Sequence, residues 1–280
     1  MEGEVHLKYL RKKKPIKRDL LWGAAALTLA LLALLLVLLL RSCGGPRTEP
    51  TEASLPAPKE NPYTEQDFTK DASGFVHCGS AKTAIDVSEH QREIDWEKVQ
   101  AAGVELAVIR VGYRGYDKGG IHADSHAEDN LTGAMDAGLT VGAYFFSQAV
   151  SPEEAIEEAE FVLGMIKGRK LTGPIVFDWE PVGDPEARTA EMTGSTLTDC
   201  ALAFCRTIEN AGYRAGVYFN QYQANSMYDL REMTSYVLWL AMYEDTMTYP
   251  YAMDLWQYSC EGTVDGIDLP VDLNLWFTEE

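Results

Sequence analysis

The chain has 280 residues, 46% hydrophobic and 24% charged, which excludes a wholly disordered protein. Its 24 Lys and Arg against 43 Asp and Glu give a formal net charge of −19, excluding a duplex nucleic-acid binder that needs a basic face. The charge is unevenly divided: residues 1–41 carry +5, leaving −24 on the remainder.

From Leu20 to Leu40 run 21 residues without a charge. At about 1.5 Å per residue this length crosses a hydrocarbon core of about 30 Å as a helix. A cleaved signal peptide should have a shorter apolar run and a small-residue exit, whereas this one exits into Arg41-Ser42. The same Arg41 disfavours lipoprotein processing before Cys43. Seven basic residues precede the run, so the positive-inside rule predicts a cytoplasmic basic segment (1–19), an uncleaved signal anchor (20–40) and everything later outside the cell membrane. Residues 41–75 contain Pro46, Pro50, Pro56, Pro58 and Pro62 and read as an extended stalk.

Residues 76–280 form the segment able to build a sizeable core. Candidate strands fall at 82–87, 105–111, 139–146, 173–179, 214–219, 236–241 and 253–258. Helices are predicted from Asp95 to Gly103, from Ser151-Pro152-Glu153-Glu154, which reads as a capping box with Pro at N1, and over 195–211 before Gly212. Strand–helix alternation with apolar runs predicts parallel crossovers and an α/β barrel that becomes irregular after the fifth strand.

Barrel chemistry collects at the carboxyl ends of strands. There the sequence offers Asp86, Asp178, Glu180 and Asp272, with Trp179, Tyr144, Tyr218, Trp239 and Tyr258 suited to stacking on sugar faces. Asp178 and Glu180, two apart on one strand, share a side, so one pKa should rise. An acid beside an anion is what glycoside hydrolysis requires. Alone, Asp-x-Glu is a weak signal; here the apolar run Gly173–Phe177 places it at the end of a buried strand.

Ala84-Ile85-Asp86-Val87-Ser88-Glu89-His90-Gln91, Ile94-Asp95-Trp96 and Ile109-Arg110-Val111-Gly112-Tyr113 resemble the opening of the glycoside hydrolase family 25 muramidases, the Chalaropsis-type lysozymes. The resemblance continues in order through Asn130, Ala137–Phe146, Asp178-Trp179-Glu180, Leu238–Ala241, Leu255-Trp256-Gln257-Tyr258 and Val271-Asp272-Leu273-Asn274. It implies a TIM-like barrel of five β/α units followed by three strands, and cleavage of the β-1,4 bond between N-acetylmuramic acid and N-acetylglucosamine in peptidoglycan. It further implies Glu180 as general acid/base, Asp178 assisting the substrate's acetamido group or stabilising the cation, Asp86 and Asp272 orienting and tuning, and Tyr144, Tyr218, Trp239, Tyr243 and Gln257 lining the groove. No metal or cofactor is implied. Two departures bear on subsites: Asn220 follows Tyr218-Phe219 in place of a small hydroxyl residue, and no His follows Tyr144. A silent peptidoglycan-binding scaffold and a chitinase-like β-1,4-N-acetylglucosaminidase are the alternative functions.

His122 and His126 have i, i+4 spacing but read as surface histidines. Of five cysteines, Cys200 and Cys205 are placed on different helix faces, and a Cys78–Cys260 bridge is open.

Overall fold

The structure, a computed structural model, describes residues 55–277. The basic segment, the expected membrane span and the first part of the stalk lie outside the described residues. Among the described residues, no helix is long and apolar enough to cross a membrane.

Residues 55–75, assigned on sequence to an extended stalk, pack against the folded domain. Asn61 donates its side-chain amide to the carbonyls of Met247 (3.1 Å) and Tyr249 (3.0 Å). The Tyr63 ring stacks on Phe277 at 5.0 Å, and Phe68 meets Trp256 edge-on at 5.3 Å. Proline stiffness is compatible with an extended strap here, because Asn61 and two aromatic rings supply the fastening that the prolines cannot. A hairpin follows, β1 (Phe68–Lys70) with β2 (Val76–Cys78). Asp71 Oδ1 closes its turn by accepting the N–H groups of Ser73 and Phe75.

The domain is built on β3 (Lys82–Val87), β4 (Leu106–Arg114), β6 (Thr140–Ser147), β7 (Ile175–Trp179), β8 (Ala215–Asn220), β9 (Val237–Ala241), β10 (Leu255–Gly262) and β11 (Val271–Trp276), with β5 (Ile121–Ala123) paired antiparallel on the edge of β4. The first seven pair in parallel in that order, and β11 closes the barrel antiparallel to both β10 and β3. Helices α1 (Trp96–Ala101), α2 (Ala127–Asp136), α3 (Pro152–Met165) and α4 (Gly194–Asn210) cross between early strands, and the one-and-a-half-turn α5 (Gln221–Ser226) follows β8. After α5 no α-helix separates the strands, which is the predicted irregularity.

Three local details explain the helices. Asp95 caps α1, and Thr193 caps α4. Ser151 caps α3, but the Glu154 carboxylate reaches the N–H of Val150, one residue before the cap, because its oxygens also hold Arg188. Helix α2 was not legible as a helix: Gly133 lies in its interior, where a Cβ would overlap the Trp96 indole.

Strand alternation separates two cores. Outward residues such as Ile85, Ile109, Phe145, Phe177, Val217 and Trp256 pack in the large cluster with helix residues including Leu131, Val162 and Phe204. Inward residues Ala84, Leu106, Val108, Val176, Val237, Trp239 and Leu255 fill the barrel itself. The filled interior makes a floor, with buried Asn274 set into it in register with Ala84, and the four carboxyls lie above it at the carboxyl-terminal mouth.

Candidate active site

The floor forces the next inward positions upward into one cavity of about 230 Å³. Asp86 comes from β3, Arg110 from β4, Tyr144 from β6, Asp178 and the following Glu180 from β7, Tyr218 from β8, Trp239 from β9, Gln257 from β10 and Asp272 from β11; Tyr243 follows β9. All nine site residues expected from the sequence line this cavity. A larger hollow of about 680 Å³ lies at the opposite end of the strands, between Pro56, Pro58 and Tyr63 and the start of β9. It is the larger of the two, but it lacks the cluster of carboxylates that chemistry requires.

Hydrogen-bond supply differs sharply among the four carboxylates. Asp86 Oδ2 accepts from Gln257 Nε2 and Asn274 Nδ2, both at 2.8 Å. Those amides have fixed orientations. The Trp239 indole N–H, which can only donate, binds Asn274 Oδ1 at 2.8 Å, while the hydroxyls of Tyr218 (3.0 Å) and Tyr243 (3.1 Å) donate to Gln257 Oε1. Each amide therefore turns its NH₂ to Asp86. Burial pushes the Asp86 carboxyl up while these two donors, and Asp272, hold it down.

Asp272 lies directly across the antiparallel ladder from Asp86. Like charges in that position are unfavourable, and a shared proton relieves them. Burial, then Asp86 and Glu180, push the Asp272 carboxyl upward. Asp178 is 5% exposed and its Oδ1 has no hydrogen-bond partner. Burial first, then the charges of Glu180 and Asp86, raise its pKa well above the ordinary range, against the opposing pull of Arg110. Glu180 is half-buried and is raised by burial and then by Asp86. The site thus holds three carboxyls whose ionisation burial and neighbouring charge oppose, Asp178, Glu180 and Asp272, and one, Asp86, that is supplied with donors.

The backbone that carries the acid pair is pinned by two buried glutamines. Gln223 Nε2 donates to the carbonyl of Trp179, and Gln148 Nε2 donates to the carbonyl of Glu180 at 2.9 Å. Gln148 is itself fixed by Thr189 Oγ1 at 2.8 Å and by Arg188, whose Nη1 reaches its carbonyl at 2.8 Å. Neither glutamine was singled out on sequence, because each acts on main chain contributed by a distant segment. Arg110 and Asn274 were legible only as parts of longer blocks; the signal that identifies them is inward parity at a strand end.

Some expectations about aromatic residues are corrected. Trp179 and Tyr258 point outward into the core between barrel and helices, and the Tyr258 hydroxyl accepts from Val76 N at 3.2 Å. Trp239 is 1% exposed and orients Asn274, so it lines the cavity wall without offering a stacking face. Tyr243, 56% exposed, is the open aromatic surface at the rim. Cys78, Cys200, Cys205 and Cys260 are all free, with Cys78 buried and Cys260 exposed, so the Cys78–Cys260 bridge is not formed. Cys200 and Cys205 are both buried. His122 lies on β5 and His126 precedes α2, and among the described residues no group of His, Cys, Asp and Glu has the geometry to hold a metal ion.

A closed eight-stranded α/β barrel whose mouth gathers four carboxylates defines a protein of the glycosidase type. The sequence model of glycosyl hydrolases family 25 matches residues 85–267, and the chain belongs to that family. The autolytic lysozyme of Clostridium acetobutylicum is 28% identical over 193 residues, covering 68% of this chain and 54% of that protein. The modular autolysin LytC of Streptococcus pneumoniae, solved in complex with a synthetic peptidoglycan ligand, superposes with a TM-score of 0.63 at 25% identity, over 75% of this chain and 50% of that one. A family 25 glycosyl hydrolase from Bacillus anthracis shares the fold, with a TM-score of 0.60 at 20% identity over 73% and 93% of the two chains. The chain spans about half the length of the first two relatives.

Proposed function

We propose that the chain is a peptidoglycan hydrolase that cleaves the β-1,4 bond between N-acetylmuramic acid and N-acetylglucosamine. The observation that carries this reading is the Asp178–Glu180 pair at the carboxyl end of β7, inside the barrel mouth, with Asp178 Oδ1 unpartnered. Burial, then Asp86, push the half-buried Glu180 carboxyl up, which favours the protonated form that donates to the leaving glycosidic oxygen. Asp178 Oδ1 accepts the N–H of the substrate's 2-acetamido group, so that the acetamido oxygen attacks the anomeric carbon as the bond breaks. Glu180, now a carboxylate, then takes a proton from the water that opens the resulting ring, in the substrate-assisted variant of the two-carboxylate scheme. Asp86 and Asp272 share a proton beside them and tune Glu180. Tyr243 offers a face to the sugar chain at the rim.

In this reading the apolar run 20–40 is a single-pass anchor in the cell membrane, with residues 1–19 cytoplasmic and the barrel on the cell-wall side. The proposal is tested by incubating the full chain with purified peptidoglycan and analysing the new reducing ends by mass spectrometry. Fragments ending in reducing N-acetylmuramic acid are expected, and Glu180→Gln should release none. Binding without release would favour the silent scaffold. Faster cleavage of chitin-type oligomers than of peptidoglycan would favour the glucosaminidase.

A further inference from the structure

Arg110 is the only Lys or Arg among the residues lining the mouth, and its charge is already matched twice. Its Nε donates to Asp124 Oδ2 at 2.8 Å, and its Nη2 donates to Glu89 Oε1 at 3.1 Å. The Asp124 side chain is fully buried and saturated, since its oxygens also accept the N–H groups of Glu89 and His126. Asp86, Asp178, Glu180 and Asp272 share the same cavity. No Lys or Arg in the mouth is left over to balance an incoming anion. Asp178 Oδ1, an acceptor on a side chain 5% exposed, has no partner, and the Arg110 hydrogen bonds to Asp124 and Glu89 leave its Nη1 free to donate.

We propose that this mouth selects glycan strands whose muramyl lactyl carboxyls are amide-linked, and so uncharged, over strands whose lactyl carboxylates are free. The inference rests on the muramidase reading above. An amide carbonyl satisfies Arg110 Nη1 without adding charge. A free carboxylate offers the same acceptor but brings a further negative charge into a partly dehydrated acidic pocket. The order of reactions follows from this. Hydrolysis of the lactyl–peptide amide, which adds water and leaves a carboxylic acid and an amine, converts a good substrate into a poor one. Amidase-type stripping of the strand therefore belongs after this cleavage and not before it.

The test is a competition between two tetrasaccharides of alternating N-acetylglucosamine and N-acetylmuramic acid, one with lactyl alaninamides and one with free lactyl carboxylates. Both are offered to the full chain in one vessel and read by mass spectrometry as a ratio of kcat/KM. At low ionic strength the amide form should be favoured by roughly five- to ten-fold, and the ratio should fall towards one in about 1 M salt. Glu89→Gln relieves Arg110 of one of its two anions and should narrow the low-salt ratio at least two-fold. Equal cleavage of the two glycans, or preference for the free carboxylate, overturns the proposal while leaving the muramidase reading intact. Cleavage of neither overturns that reading; the ratio of dissociation constants for the same pair then decides the selectivity, with equal or tighter binding of the carboxylate form refuting it.

Discussion

Asp272→Asn removes a carboxyl whose ionisation the fold resists. Its pKa is pushed up to about 9 by burial first, and then by Asp86 and Glu180. The unfolded chain releases this proton near the ordinary Asp value of about 3.9, whereas the folded domain keeps it. Between those two values folding takes up a proton, so the stability contribution present at low pH is lost as pH rises, by about 1.4 kcal/mol per pH unit. An Asn cannot ionise and has no such slope. From pH 5 to pH 8 a full proton would account for about 4 kcal/mol; because Asp272 is partly open and shares its proton with Asp86, about 2 kcal/mol is the expected size. Urea unfolding of the parent and of Asp272→Asn at both pH values measures it. The variant's margin over the parent should widen by about that amount from pH 5 to pH 8, or about 4–8 °C in Tm for a domain of this size. Parallel pH dependence in the parent and Asp272→Asn would refute the shared-proton account.

Three further outcomes are expected. The rate on solubilised peptidoglycan should persist above the ordinary carboxylate range and fall on the alkaline side as Glu180 loses its proton; a pH–rate profile whose alkaline limb lies at or below about pH 4.5 contradicts this. Gln148→Leu or Gln223→Leu should lower stability by about 1–3 kcal/mol by leaving a carbonyl of the Trp179–Glu180 segment unpaired, and should lower kcat with little change in KM; an unchanged kcat would remove the positioning role. Tyr243→Ala should act mainly on KM, whereas Trp239→Phe, which deletes the N–H that orients Asn274, should act on kcat and on the pH profile; identical kinetic signatures would show that the two aromatics do not differ in role.

What could be read from sequence follows from where the physical signal is local. The strands β3, β4, β6, β7, β8, β9 and β10 announce themselves as apolar runs, because parallel barrel strands are buried on both faces. Strand β11 does not, since its inward positions are Asp272 and Asn274, and it was read as a site segment without being read as a strand. Helix α2 was hidden by the glycine that admits Trp96. Asp86, Asp178 and Glu180 are legible because they lie at or just past the carboxyl end of a strand; Asp272 reaches the same mouth from the start of antiparallel β11, and inward parity brings the four together. Parity also decides the aromatics, and sequence reasoning went astray there: Trp179 lies between Asp178 and Glu180 and must face the other way. Residues 55–75 were misassigned for a different reason. Proline content reports stiffness, and only long-range contacts such as Asn61 with Met247 decide whether a stiff segment lies against a domain or away from it.

The division of labour among the four carboxylates is set by who donates to them, more than by where they stand along the chain. Each occupies an inward position at a strand end, and burial raises all four. Asp86 receives two N–H donors whose direction is enforced by an indole and two phenols, so it carries the negative charge. Asp272, paired across the ladder with that charge, holds a proton. Asp178 has an oxygen with no partner at all, which is costly in the free enzyme at about 1–3 kcal/mol and is repaired only when a ligand brings an N–H. Glu180 is more open than Asp178, and its carbonyl is held from behind by Gln148 and that of Trp179 by Gln223, which supports its proposed role as the carboxyl that exchanges protons with substrate and water. A single arginine, neutralised by its own two partners, keeps this arrangement from collapsing into an ordinary salt bridge. Adding a cation at the mouth, for example Ser88→Lys, should therefore impair cleavage by drawing Asp86 and Asp178 into ion pairs, even though it would make an acidic site more nearly neutral. A Ser88→Lys enzyme with unimpaired kcat and an unshifted pH profile would show that the donor hierarchy does not set the roles.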